Sequence, residues 1–179
     1  CPMNFAAFLR GMNLGKRRIK NPELCACFEH MGFTCVWAFL ASGNVAFQSN
    51  EEPAVLETRI RESLQDQLGY DVPTFVRSRE ELDAIAAFEP FTAAQLDATS
   101  GKVQVALLEK TPDDEALAAA LRHASEDDQL RLHGRELYWL PKEGVSTSNI
   151  DLRAIAQAVG TMTLRTHRTM QRMDKKMGA

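Results

Sequence analysis

Residues Met3–Leu9 (MNFAAFL) are apolar on both alternations of a strand, with Met3, Phe5, Ala7 and Leu9 on one and Ala6 and Phe8 on the other. A strand with one wet face carries polar side chains at every second position. This run therefore predicts an inner strand of a sheet covered on both faces, and the rest of the chain has to supply that cover.

The segments that follow supply it in a recognisable order. Asn21 to Gly32 predicts a helix, with Asn21 as N-cap, Pro22 at the first helical position, an apolar stripe of Leu24, Phe28 and Met31, and Gly32 as the stop. Phe33 to Ala41 alternates as a strand, Ser42-Gly43-Asn44 is a turn, and Val45 to Gln48 continues as the return strand of a hairpin. Glu52-Pro53 opens a helix to about Leu68, closed by Gly69, and Val72 to Val76 reads as a further strand. The first half is thus β-α-β-β-α-β, the ferredoxin-like order.

After a helical connector a second series begins. It has a strand over Lys102 to Leu108, a helix over Pro112 to Ala124, a hairpin over Gln129 to Leu140 and a polar loop over Pro141 to Asn149. A helix then runs to Gly160, capped by Ser148 or Asn149, and a final helix spans Arg165 to Met177. The predicted fold is α+β, with two ferredoxin-like halves. The second is degenerate, with C-terminal helices in place of its last strand. The predicted organisation is residues 1–78 as the first half, 79–101 as connector and 102–179 as the second half, the halves related by element order and not by sequence identity.

Charge is distributed unevenly. The formal net charge is −3, which argues against a chain that is basic throughout, yet Arg10, Lys16, Arg17, Arg18 and Lys20 crowd into one loop with Gly11 and Gly15. In the ferredoxin-like arrangement the first two strands are parallel, so the loop after the first and the turn after the second meet at one rim. A basic loop, a Gly turn and a helix N-terminus together predict an anion site. Its expected ligand-binding residues are Arg10, Asn13, Gly15, Lys16, Arg17, Ser42, Gly43 and Asn44, joined by Arg165 and Arg168 from the closing helix. Asn13, Ser42 and Asn44 are better suited to holding loop and turn by backbone hydrogen bonds than to meeting the anion.

Other chemistries fit less well. Gly11 to Arg17 (GMNLGKR) has one residue too few for a P-loop and Arg17 where a Ser or Thr would bind Mg²⁺. Cys25 and Cys27 lie about 200° apart on a helix, which opposes shared metal ligation. With Cys35 they are expected as core or near-core thiols, so no metal is assigned. No nucleophile–base pair stands at a readable spacing; an enzyme acting on a phosphorylated metabolite would use His167 or a carboxylate as its proton carrier. No catalytic residue and no cofactor follow. The third strand of the hairpin half, Asn44-Val45-Ala46-Phe47-Gln48, lacks the Gly/aromatic pattern of RNA-recognition sheets. The partner predicted is a phosphorylated small molecule. Non-specific binding to a nucleic-acid backbone and a protein-interaction module without small ligand are the alternatives. No apolar run of about 18 residues and no signal-peptide pattern before Met3 are present, which predicts a cytoplasmic chain without a membrane partner.

Three segments carry a family resemblance: Phe8 to Gly15 (FLRGMNLG), Ala41 to Phe47 (ASGNVAF) and Leu164 to Met173 (LRTHRTMQRM). Together they resemble the bacterial DUF1697 family. Arg10, Gly11, Asn13, Gly15, Ser42, Gly43, Asn44, Arg165 and Thr169 match its pattern. Thr166-His167 stands where Asn-Trp is usual, Arg172-Met173 where Lys-Leu is, and Ser148-Asn149 where Ser-Lys is. The resemblance supports the fold and implies no established activity.

Overall fold

A computed structural model of the chain describes residues 2–12, 14–15, 17–40 and 43–178. The first half contains β1 (Met3–Leu9), α1 (Asn21–His30), β2 (Thr34–Ala38), β3 (Asn44–Ser49), α2 (Pro53–Leu68), β4 (Thr74–Ser78) and α3 (Arg79–Ala87). After α4 (Ala93–Asp97) come β5 (Gln104–Leu108), α5 (Asp114–Leu121), β6 (Asp128–His133), β7 (Glu136–Pro141), α6 (Leu152–Val159), β8 (Met162–Thr166) and α7 (His167–Met177). The strands form two four-stranded antiparallel sheets, ordered β2-β3-β1-β4 and β6-β7-β5-β8. Each has the ferredoxin-like order, with the first strand of its half inside the sheet.

The chain divides into two compact units, residues 1–84 with 173–179, and residues 85–172. The divisions fall inside α3 and inside α7. In the first unit β1 is buried on both alternations as its sequence requires, Phe5, Ala6, Ala7 and Phe8 all being 0% exposed. One face of the sheet meets α1 and α2 through Leu24, Phe28, Leu56, Ile60 and Leu64. Phe47 is central here, with ring centroids 4.5 Å from Phe33 and 5.6 Å from Phe5 and from Phe28. In the second unit Ala106, Leu108, Leu137, Ile155, Val159 and Met162 form the corresponding core.

Several sequence expectations change. The second half is not degenerate: β8 pairs along β5 from Gln104↔Thr166 to Leu108↔Met162. Its five residues lie between Gly160 and a strongly amphipathic helix, so their strand pattern is masked by the helical period that follows. Asn21 does not cap α1. Lys20 is the N-cap residue without a side-chain cap, and the Asn21 amide donates instead to the Leu40 carbonyl at 2.9 Å. The cap of α6 is Asp151, whose carboxylate accepts from the Ala154 amide at 3.0 Å. Cys35 is exposed, not near-core. Its φ of +50° accompanies a register shift between Thr34 and Trp37, which breaks the alternation read from the sequence.

The trailing helices complete a repeat. Val76-Arg77-Ser78 closes β4 before α3, and Leu164-Arg165-Thr166 closes β8 before α7. Each arginine donates to the carbonyl of the residue before it, Arg77 to Val76 at 3.1 Å and Arg165 to Leu164 at 2.8 Å. Ser78 and Thr166 each accept an amide at the start of the following helix, from Glu81 and Thr169, both at 3.1 Å.

Candidate functional site

The rim of the first unit is assembled from backbone contacts at the end of β1. The Leu9 amide donates to the Gly43 carbonyl at 2.9 Å, and the Arg10 amide to the Pro73 carbonyl at 3.0 Å. The turn after β2 and the loop after β1 therefore meet, as the topology predicts. The approach is close: a Cβ on Gly43 would lie 3.0 Å from Met12 Cγ and 3.1 Å from the Leu9 carbonyl oxygen. Gly43 has φ of +78°, so both its conformation and its surroundings favour glycine.

The basic loop is anchored at intervals. Met12 is buried and joins the core, and Ile19 packs against that core. Between them the Arg17 amide donates to the Leu14 carbonyl at 2.9 Å, closing a turn. Gly11 and Gly15 have φ of +74° and +58°, which lets the loop reverse without side-chain strain. Arg10, Arg17, Arg18 and Lys20 are exposed. Asn13, Lys16 and Ser42 lie outside the described residues.

Arg17 lies over the Tyr70 ring, 4.4 Å from its centroid. Beside it Arg61 grips Asp71 with two hydrogen bonds of 2.7 Å. That grip holds the Asp71 carboxyl below the usual carboxylate range, and the charge of Arg17 adds to the effect. Arg17, Arg18, Ile19, Glu23, Leu68 and Tyr70 line a groove of about 350 Å³. It combines two cations, one carboxylate and an apolar wall. The sequence does not place Tyr70 and Leu68 beside the basic loop, because nothing local links the end of α2 to the loop after β1.

Asn44 is fully buried, and its amide donates to the Phe39 carbonyl at 2.8 Å, locking the hairpin. Arg165 and Arg168 belong to the second unit. Burial lowers the Arg165 pKa to about 10, which leaves it charged at neutral pH, and its guanidinium also donates to Thr163 Oγ1 at 3.0 Å. Arg168 is exposed on the first turn of α7, while Met170 and Met173 are fully buried. His167 is buried, with Nε2 2.8 Å from the Ile85 carbonyl oxygen and its ring edge-on to Tyr138. A ring nitrogen facing a carbonyl carries the proton and donates it, so this nitrogen serves as a structural donor. The Cys25 and Cys27 thiols are pushed up by burial, with Glu29 and Glu23 respectively adding to it.

Comparison with known proteins agrees with this fold. The family model described as "Protein of unknown function (DUF1697)" matches residues 3–138. A solved structure of a conserved bacterial protein from Streptococcus pneumoniae superposes with a TM-score of 0.79 at 17% identity, covering 100% of both chains. At that identity the likeness concerns the fold. Comparison with curated proteins gives no match.

Proposed function

We propose that this chain, which belongs to the DUF1697 family of proteins of unknown function, binds a small phosphate-bearing molecule at the rim of its first unit. The groove beside the basic loop carries the reading. Arg17 and Arg18 line it, and the loop that bears them is fixed by Met12, Ile19 and the Leu14–Arg17 turn. Arg17, laid over the Tyr70 ring, loses little conformational freedom when an anion arrives. The groove volume of about 350 Å³ suits a small ligand. The start of α1 lacks a side-chain cap and so adds the positive end of a helix dipole nearby. Glu23 limits the charge the groove accepts and favours a ligand with a neutral portion beside Tyr70 and Leu68.

A thermal-shift series with inorganic phosphate, a nucleoside triphosphate, a sugar phosphate and single-stranded DNA tests this at low and moderate salt. A ligand that binds only the folded chain raises Tm by mass action. The expected result is a salt-resistant rise with a small phosphate compound, lost in the double variant Arg17→Ala/Arg18→Ala. Equal shifts in that variant, or no shift with any probe, reject the groove. Shifts with every polyanion that collapse as salt rises favour nucleic-acid backbone binding instead.

A further inference from the structure

The second unit contains a pocket of about 410 Å³ at the start of β6, the end of β7 and the loop leading to α6. Its walls are built closely. The amides of Ser100 and Gly101 both donate to the Lys142 carbonyl, at 2.9 and 3.1 Å, and the Lys142 amide donates to the Asp127 carbonyl at 2.8 Å. A Cβ on Gly101 would stand 1.7 Å from the Pro141 carbonyl oxygen, so only glycine permits this approach.

Asp128 lines this pocket and is only 6% exposed. Its Oδ1 accepts two hydrogen bonds, from Trp139 Nε1 at 2.8 Å and from Ser148 Oγ at 2.6 Å. Ser148 Oγ in turn accepts the Ile150 amide at 3.1 Å, which holds the hydroxyl in place. Oδ2 takes no hydrogen bond from any described residue, and it is not among the buried atoms sealed off without a partner. One carboxylate oxygen is thus saturated by the fold, and the other retains the capacity to accept a donor in the pocket that Asp128 lines. A carboxylate so far withdrawn from bulk water gains strongly from a charged donor.

The remaining lining selects the sign and shape of that donor. Asp127, Glu143 and Asp128 set three carboxylates against the imidazole of His123 and the ammonium of Lys142, which lies 3.6 Å from Asp127 Oδ1. The balance favours a cation. A guanidinium fork is best matched by both oxygens of a carboxylate, whereas a compact ammonium is satisfied by one. Among the described residues no three His, Cys, Asp or Glu side chains gather where they could hold a metal ion. We propose that this pocket binds a small molecule bearing a primary ammonium group, which donates to Asp128 Oδ2. This site is independent of the groove in the first unit.

The test follows the Trp139 indole N–H by proton–nitrogen NMR on the full chain. That resonance reports on Asp128 directly and is assigned with Trp37→Phe, since the chain has only two tryptophans. Ethanolamine is the probe and ethylene glycol its neutral counterpart, each titrated to about 10 mM, the range of a weak millimolar complex. The expected result is a saturable shift with ethanolamine alone, weakened by about tenfold or more in Asp128→Asn. No shift, an equal shift with ethylene glycol, or an unchanged affinity in Asp128→Asn overturns the proposal. The comparison of ethanolamine with ethylene glycol on the unaltered chain decides the matter should Asp128→Asn fail to fold. Inorganic phosphate is expected to leave Trp139 unmoved, which separates this result from that for the basic groove.

Discussion

Gly43 shows how one residue fixes the rim. Its φ of +78° costs a non-glycine residue about 1–2 kcal/mol, and the Leu9 carbonyl and Met12 crowd the Cβ position at 3.1 and 3.0 Å. Gly43→Ala is expected to destabilise the chain by more than that strain alone. Gly32→Ala is the internal control, because Gly32 has φ of +94° but nothing within 4 Å of its Cβ position. Urea unfolding should show a lower midpoint for both variants at unchanged slope, with Gly43→Ala the more affected; equal midpoints would refute the crowding. The turn itself is legible in Ser42-Gly43-Asn44. A backbone hydrogen bond from Asn44 is legible there too; that its acceptor is the Phe39 carbonyl is not. Asp128 is similarly opaque in the sequence, where nothing sets it apart from the other acids. Its partners Trp139 and Ser148 come from β7 and a loop, and only the folded sheet brings them together.

At the scale of elements, long periodic segments are legible and short ones next to them are not. The α2 stripe of Leu56, Ile60 and Leu64 reads directly as a buried face. The five residues of β8 do not, because Arg165 and Thr166 fit the arginine-rich helix after them equally well. Sheet register resolves this by pairing Thr166 with Gln104, as Ser78 pairs with Phe5. The same alignment makes Val-Arg-Ser and Leu-Arg-Thr equivalent, a likeness too short to detect in the bare sequence. Ser78 and Glu81 form a reciprocal capping box at the start of α3, with bonds of 3.0 and 3.1 Å. Ser78→Ala is expected to cost about 1 kcal/mol, read as a fall in unfolding midpoint that Ser78→Thr largely restores. A midpoint unmoved by Ser78→Ala would deny the cap its role.

At the scale of the whole molecule, the first unit has a contribution from the far end of the sequence. Asp174 approaches Arg79 at 3.5 Å, and its carboxyl is pushed above the ordinary carboxylate range by burial and by the neighbouring Asp83, against the opposing pull of Arg79. A raised pKa in the folded state contributes stability below the ordinary carboxylate range, which is lost as pH rises through the raised value. Relieving the like charge with Asp83→Asn is therefore expected to help more at about pH 7 than at about pH 3. Tm measured across that interval checks this, and a constant difference between variant and parent would contradict it. Lys176 also lies over Trp37 and Phe39, 5.0 and 5.6 Å from their ring centroids. Since residues 173–178 pack with the first unit, that unit is not complete when its own sheet leaves the ribosome. It must wait, with Trp37, Phe39 and Arg79 lacking these partners, until all of residues 85–172 have been translated. A stretch made after the second unit thus finishes the unit that was begun before it.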